Sequence, residues 1–304
     1  MYIPYFRGKQ YDLLGLMESI HHHLIPDNVI PLIEPVRDSK YLIQLLDLCV
    51  EHKKKILVVV NPEVGQIPYG VTSRYPYHAY FSFEEIVPVF ILNDTFTSSM
   101  VEYHPYVFLS NRYSKQAFLE TQEMEAPLFY ITTEDPMLKN RIDDKRVKLV
   151  DPFVRRKDQM YEEEEIVVDE FFSDEWYYLK EDGYVGYADY GIDGAAYYDK
   201  GYPSKYVVLH ILYLDRYQRI RVKHFVNDTA DSFANPGQKF FQSLTKCKEW
   251  YDRNQDVVPL TVGLARLFEY LIIEKYPGAG IVKKLLIMHH MEVVGNFSGI
   301  KKGE

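Results

Sequence analysis

Met1-Tyr-Ile-Pro-Tyr-Phe-Arg-Gly-Lys-Gln10 opens the chain with an apolar run, Tyr2 to Phe6, that stops at the polar turn Arg7-Gly-Lys-Gln10. Leu13, Leu14, Leu16, Met17 and Ile20 follow at helical spacing. The order is therefore buried strand, polar strand end, helix. The same order recurs down the chain. Val29–Val36 is apolar on both faces, as a strand covered on both sides must be, and carries Glu34 near its end. Ile56–Val60 ends at Asn61, Ile86–Leu92 at Asn93-Asp94, and Tyr106–Leu109 at Ser110-Asn111-Arg112. Leu128–Ile131 runs to Glu134, Val147–Val150 to Asp151, and Val185–Tyr190 carries Asp189. Helical patterns over Tyr41–Val50, Thr95–Tyr103 and Ser114–Met124 separate several of these runs. Strands alternating with helices imply a parallel sheet, and eight is the number at which such a sheet closes into a (β/α)8 TIM-type barrel. An open doubly wound sheet is the alternative, but no strand leads into a GxGxxG turn.

At 304 residues one elaborated barrel domain accounts for the whole chain, with barrel strands in about 1–190 and an elaboration in about 191–304. At Arg155 the regular alternation stops. Glu162–Glu165 reads as a solvated acidic loop. Tyr206–Tyr213 and Arg219–Val226 alternate about a turn at Asp215-Arg216 and predict an antiparallel hairpin. His210 and His224 fall on its facing strands, where they can pair; neither is taken as catalytic. Helices are predicted over Gly237–Arg253 and Leu260–Glu274, followed by an apolar run through Met288-His289-His290. Gly278-Ala-Gly280-Ile-Val-Lys283-Lys284 lacks the Walker spacing and reads as a helix connection rather than a phosphate loop.

The net charge of −9 argues against a chain that coats nucleic acid. Cys49 and Cys247 lack metal-ligand spacing and read as buried thiols. His21-His22-His23 falls on the last turn of a helix, where the helix dipole favours partial charge. Neither a signal peptide nor an apolar run of membrane-spanning length is visible, so a cytoplasmic, soluble chain is expected. The tyrosine-rich segment 176–206 predicts packing first and a protein partner second; its acidic neighbours would repel a phosphate backbone.

In a barrel of this kind all strands end at one rim, which is where active sites form. Strand ends nominate Glu34, Asp189 and Asp151 as catalytic carboxylates. Arg7, Lys9, Asn61, Asn111 and Arg112 are nominated as substrate-binding, with Asp94 and Glu134 on the same rim. Guanidiniums beside carboxylates suit a phosphorylated substrate. Glu34, Asp151 and Asp189 also offer oxygen ligands for magnesium or manganese, whereas no zinc spacing occurs. Arg7 on the first strand is the expected partner of Glu34.

The opening M-Y-x-P-Y-x-R-G-K-Q resembles a bacterial protein family related to the phage "Beta protein" family. So do Ile30-Pro-Leu-Ile-Glu34-Pro35-Val36, Asn61-Pro62, the stretch Gly183 to Tyr190, His224-Phe225-Val226, and Tyr276-Pro-Gly-x-Gly280 through Met288-His289-His290. The resemblance spans nearly the whole chain and implies one conserved unit. It also implies an accessory gene in conflict with phage or plasmids, without assigning a reaction. The expected function is a hydrolase of phosphodiesterase type acting on a phosphorylated small molecule or nucleotide. The alternative is a non-catalytic ligand-sensing or partner-binding subunit of a defence or toxin complex.

Overall fold

Eight parallel strands close on themselves in the computed structural model, which describes residues 1–67, 74–110, 115–134, 141–142, 145–156, 168–199, 204–228 and 232–299. They are β1 (Tyr2–Phe6), β2 (Leu32–Ile33), β3 (Ile56–Val59), β4 (Ile86–Ile91), β5 (Val107–Ser110), β6 (Tyr130–Thr132), β7 (Arg146–Val150) and β9 (Gly186–Asp189). The ring closes where β9 pairs with β7 on one side and β1 on the other. The open-sheet alternative is thereby excluded.

The chain falls into two compact units. Met1–Asp151 with Glu175–Tyr190 forms the barrel, and Pro152–Asp174 with Gly191–Glu304 forms the second unit. Helices α1 (Gln10–His21), α2 (Lys40–Glu51) and α3 (Lys115–Thr121) belong to the barrel. Leu13, Leu16 and Ile20 of α1, and Leu42, Leu45, Leu46 and Cys49 of α2, are buried. Ser39 caps α2 by accepting the Tyr41 N–H. Burial pushes the Cys49 thiol up to about 12, as expected of an inert core cysteine.

Three expectations change. The eight-residue second strand shrinks to Leu32–Ile33, because Pro31 and Pro35 have no N–H to give to a ladder. The helix expected over Thr95–Tyr103 is only a 3-10 turn, Ser98–Met100. There the Asn93 carboxamide oxygen accepts from the backbone N–H and the hydroxyl of Thr95. Side chains that bond locally in this way compete with helix formation.

The third change is a strand that the sequence does not announce. β8 (Asp169–Ser173) pairs antiparallel with β11 (Ile220–Val226), which pairs with β10 (Val208–Leu214). The predicted hairpin is thus the core of a three-stranded sheet. Its turn is set by Asp215, which accepts the N–H groups of Tyr217 and Arg219. Helix α4 (Pro236–Arg253) brings Trp250 against Tyr213 and Phe225 on one face. α5 (Val262–Ile272) packs on α6 (Ala279–Gly299) at Gly263, where a Cβ would lie 2.3 Å from the Leu285 carbonyl oxygen. Glu292 of α6 accepts the Val262 and Gly263 N–H groups at the start of α5. Nε2 of the buried His289 donates to the Leu212 carbonyl at 2.8 Å, leaving Nδ1 to accept from the Thr261 hydroxyl at 2.7 Å.

Candidate functional site

Register decides which way each rim residue faces. Tyr5 is level with Leu32, and Pro4 is level with Asp189. Neighbouring residues on a strand face opposite ways. Glu34 therefore shares the face of Tyr5, while Asp189 shares the face of Pro4 and Tyr2. The Tyr2 hydroxyl donates to Asp189 at 3.0 Å. Trp176, in the connection leading to β9, lies edge-on to Tyr187 on that same face. Asp189 is thus on the outer wall, and Glu34 points into the lumen. The expected convergence of Glu34 and Asp189 does not occur, because a one-residue difference in register separates them by the thickness of the barrel wall.

Glu34 is fully buried. Its Oε2 accepts from the Tyr5 hydroxyl at 2.7 Å and from the Arg7 guanidinium. Its Oε1 accepts the backbone N–H groups of Glu63 at 2.8 Å and Val64 at 3.2 Å. Arg7 also stands over the rings of Tyr5 and Tyr190, which stack at 4.7 Å. A carboxylate offers about four lone-pair positions, and here four donors fill them. The expected Arg7–Glu34 pair exists, and it straps the loop after β3 onto the barrel end. Gly65 in that loop has φ +96°, and a Cβ there would lie 2.1 Å from the Val36 carbonyl oxygen, so only glycine fits.

Of the other rim residues that the structure describes, some are held by bonds of their own and some are exposed. Asn61 exchanges two hydrogen bonds with the backbone of Ile91, at 3.0 and 2.8 Å, extending the β3–β4 ladder with its carboxamide. Lys9 is the N-cap residue of α1, its own N–H held by Asp12 at 3.1 Å. Asp94 and Asp151 are exposed. Glu134 lies 3.9 Å from Lys148, whose closer partner is Glu175 at 2.6 Å. Asn111 and Arg112 lie outside the described residues. Among the described residues no three His, Cys, Asp or Glu side chains gather as a metal-ligand set. Glu34 and Asp189, on opposite faces of the wall, do not come together as oxygen ligands of one ion. Within segment 176–206, Tyr184, Tyr187 and Tyr190 are buried and Tyr178 is half exposed. Among the described residues no helix is long and apolar enough to cross a membrane.

A better-formed site lies in the second unit. Glu170 of β8 and His224 of β11 share a face of the three-stranded sheet. Arg156 clasps Glu170 through two N–H···O bonds of 2.9 and 2.5 Å. Glu170 Oε1 lies 2.9 Å from His224 Nε2, and His224 Nδ1 lies 2.7 Å from His210 Nδ1. The pairing expected of the two histidines is therefore present, with a carboxylate behind it. Arg156 also approaches His224 Nε2, at 3.2 Å. The nearer carboxylate can only accept, so His224 donates through Nε2. His224 Nδ1 is then an acceptor, His210 donates to it through Nδ1, and His210 Nε2 carries no proton. Burial, then the neighbouring His224 and the guanidiniums of Arg156 and Arg155, holds His210 down at about 3. It is neutral throughout the physiological range. Glu170 is held below the usual carboxylate range: burial opposes this, but the hydrogen bonds from Arg156 and His224 and the Arg156 charge outweigh it.

His210 borders a cavity of about 330 Å3, together with Phe153, Arg155, Arg156, Tyr276 and Lys283. That volume is within the range of small-molecule sites. Of the three cations, Arg156 is paired with Glu170, and Lys283 lies 2.6 Å from Asp193. Arg155 is exposed and stands 4.4 Å from the centre of the Tyr198 ring, with no carboxylate partner among the described residues. The glycines before Lys283 do form a helix connection, Gly278 having φ +92°, yet Lys283 faces the cavity. A second cavity of about 610 Å3 is lined by Lys223, Lys246 and Trp250, among others. Its lysines are already matched, Lys246 with Asp228 at 2.5 Å and Lys223 with Asp169 at 3.3 Å.

The sequence signal for this site is partial. Alternation in the hairpin places His210 opposite His224, but nothing in the sequence ties Arg156 or Glu170 to them. Comparison of the chain with protein-family models, with curated proteins and with solved structures finds no match.

Proposed function

We propose that this chain binds a phosphate-bearing small molecule in the cavity beside His210, and that it acts as a ligand-sensing protein. The observation that carries this reading is the Arg155 guanidinium at the cavity, the one lining cation there without a carboxylate partner among the described residues. A phosphate offers the bidentate oxygens that a guanidinium fork takes. Lys283 and the first turn of α6 add positive potential beside it. The saturated Glu34 supports sensing over catalysis at the barrel rim, because it has no lone pair left for a substrate. The setting in conflict with phage or plasmids rests on the family resemblance alone.

Isothermal titration with inorganic phosphate and with ribonucleoside monophosphates tests the reading. Arg155→Ala should weaken binding by roughly tenfold or more, the scale of one charged hydrogen bond. Because Arg155 is exposed, the melting temperature should stay within about a degree. Absence of binding to any phosphate compound, or unchanged affinity in the variant, overturns it.

A hydrolase remains the second reading, favoured by the Glu170–His224–His210 chain, in which a carboxylate orients one imidazole and that imidazole orients the next. Release of product from a phosphodiester such as bis(p-nitrophenyl) phosphate, abolished by His210→Ala, would move it to first place.

A further inference from the structure

Resting on the phosphate-binding reading of the cavity, we propose that His210 Nε2 is the specificity element of the site, a fixed hydrogen-bond acceptor that selects phosphate esters carrying a hydroxyl donor. The chain Glu170–His224–His210 runs in one direction. A carboxylate cannot donate, so it fixes the proton of His224 on Nε2. His224 Nδ1 must then accept, which fixes the proton of His210 on Nδ1. The last nitrogen in the chain, His210 Nε2, has no hydrogen-bond partner among the described residues, and the ring borders the cavity. An imidazole left to itself exchanges tautomers and can present either an acceptor or a donor. This one is held in a single form by a buried relay anchored on Arg156.

The surroundings narrow the ligand further. Phe153 stands edge-on to the His210 ring at 5.0 Å, and Tyr276 and Leu286 line the same cavity. The cavity therefore has a cationic side at Arg155, with Lys283 held against Asp193 beside it, an apolar wall, and the fixed neutral acceptor of His210. A bare phosphate ion would use only the first of these. A phosphorylated polyol, sugar or nucleoside uses all three: the phosphate on Arg155, the carbon frame against the apolar wall, and a hydroxyl donating to His210. A site with a placed polar group discriminates against the analogue that lacks the matching group, because that placed group then loses its bond.

The test uses two probes of equal carbon-chain length, glycerol 3-phosphate and n-propyl phosphate, titrated calorimetrically into the full chain. Wild type should bind glycerol 3-phosphate about tenfold more tightly. His210→Phe should reduce that preference to within about twofold while leaving n-propyl phosphate binding in place. Arg155→Ala should weaken both probes together and keep their ratio. Equal binding of the two probes by wild type, or a preference that survives in His210→Phe, overturns the specificity role and leaves the phosphate reading standing. If neither probe binds wild type, the phosphate reading fails and the specificity role falls with it. Long-range proton–nitrogen NMR on the wild-type chain needs no variant to fold. His210 Nε2 should read as an unprotonated ring nitrogen at neutral pH, and a proton found there overturns the proposal directly.

Discussion

Glu34 in the barrel and Glu170 in the small sheet are both carboxylates clasped by an arginine, and they end differently. Every bond that Glu34 accepts comes from a group already fixed in the wall or its loop: Tyr5, Arg7 and two backbone N–H groups. Glu170 passes its orienting effect on, through His224 to a ring nitrogen at a cavity. A strand-end carboxylate is thus a poor guide to function until the far end of its hydrogen-bond chain is known. A chain that closes on backbone holds structure, and one that opens on a cavity is available to a ligand.

The largest effect that would break this contrast is at Glu34. Glu34→Ala leaves a nearly buried guanidinium and two backbone N–H groups without their acceptor. It should cost roughly 3–5 kcal/mol, a fall in melting temperature on the order of 10 °C. Glu34→Gln should fall less and leave phosphate binding unchanged. If thermal unfolding shows Glu34→Ala to be near wild type, the strap is not holding the barrel end.

Acid should act next, and on the second unit. His210 and the buried His289 are held well below their ordinary value near 6.5, at about 3 and about 4. Each is neutral when folded and takes up a proton on unfolding below pH 6.5. Their contribution is intact above pH 6.5 and is lost as pH falls toward those folded values. Each should cost about 1.4 kcal/mol per pH unit across that window, or roughly 3–4 kcal/mol for the pair by pH 5. Urea denaturation at pH 7, 6 and 5 reads this directly; a flat profile would mean that these imidazoles are not held neutral.

Lys9 sharpens the contrast from the barrel side, with the smallest effect. It sits where Ser, Asp or Asn would cap α1, and its side chain makes no cap bond. Lys9→Ser should raise stability by ~0.5–1 kcal/mol and leave phosphate binding untouched. A loss of binding in that variant would return Lys9 to a substrate role.

The barrel was legible because its strands are short apolar runs ending in polar residues, and the hairpin because it alternates. Glu34 could be read as needing Arg7, yet half of its bonds come from the backbone of Glu63 and Val64, and a backbone N–H leaves no mark on a sequence. Asp189 was misplaced because a strand end gives position along the barrel axis but not the face, which depends on register. β8 escaped because Asp169-Glu170-Phe171-Phe172 has neither strict alternation nor an apolar run. With it went the only cue that Glu170 stands behind His224.

The order in which the chain is made gives the excursion Pro152–Asp174 a cost in assembly. The barrel wall stays open until β9 exists, since Tyr2 pairs with Tyr187. β8 is synthesised before that closure, yet its partner β11 is not complete until Val226. For that interval β8 is a bare edge bearing Phe171 and Phe172, the kind of edge that templates aggregation. A chain cut after Tyr190 would keep every barrel strand and leave β8 without a partner permanently. One started at Gly191 would lack Glu170 and Arg156. Neither unit can be cloned as a contiguous fragment, so an isolated barrel requires removal of the internal segment 152–174 rather than a truncation.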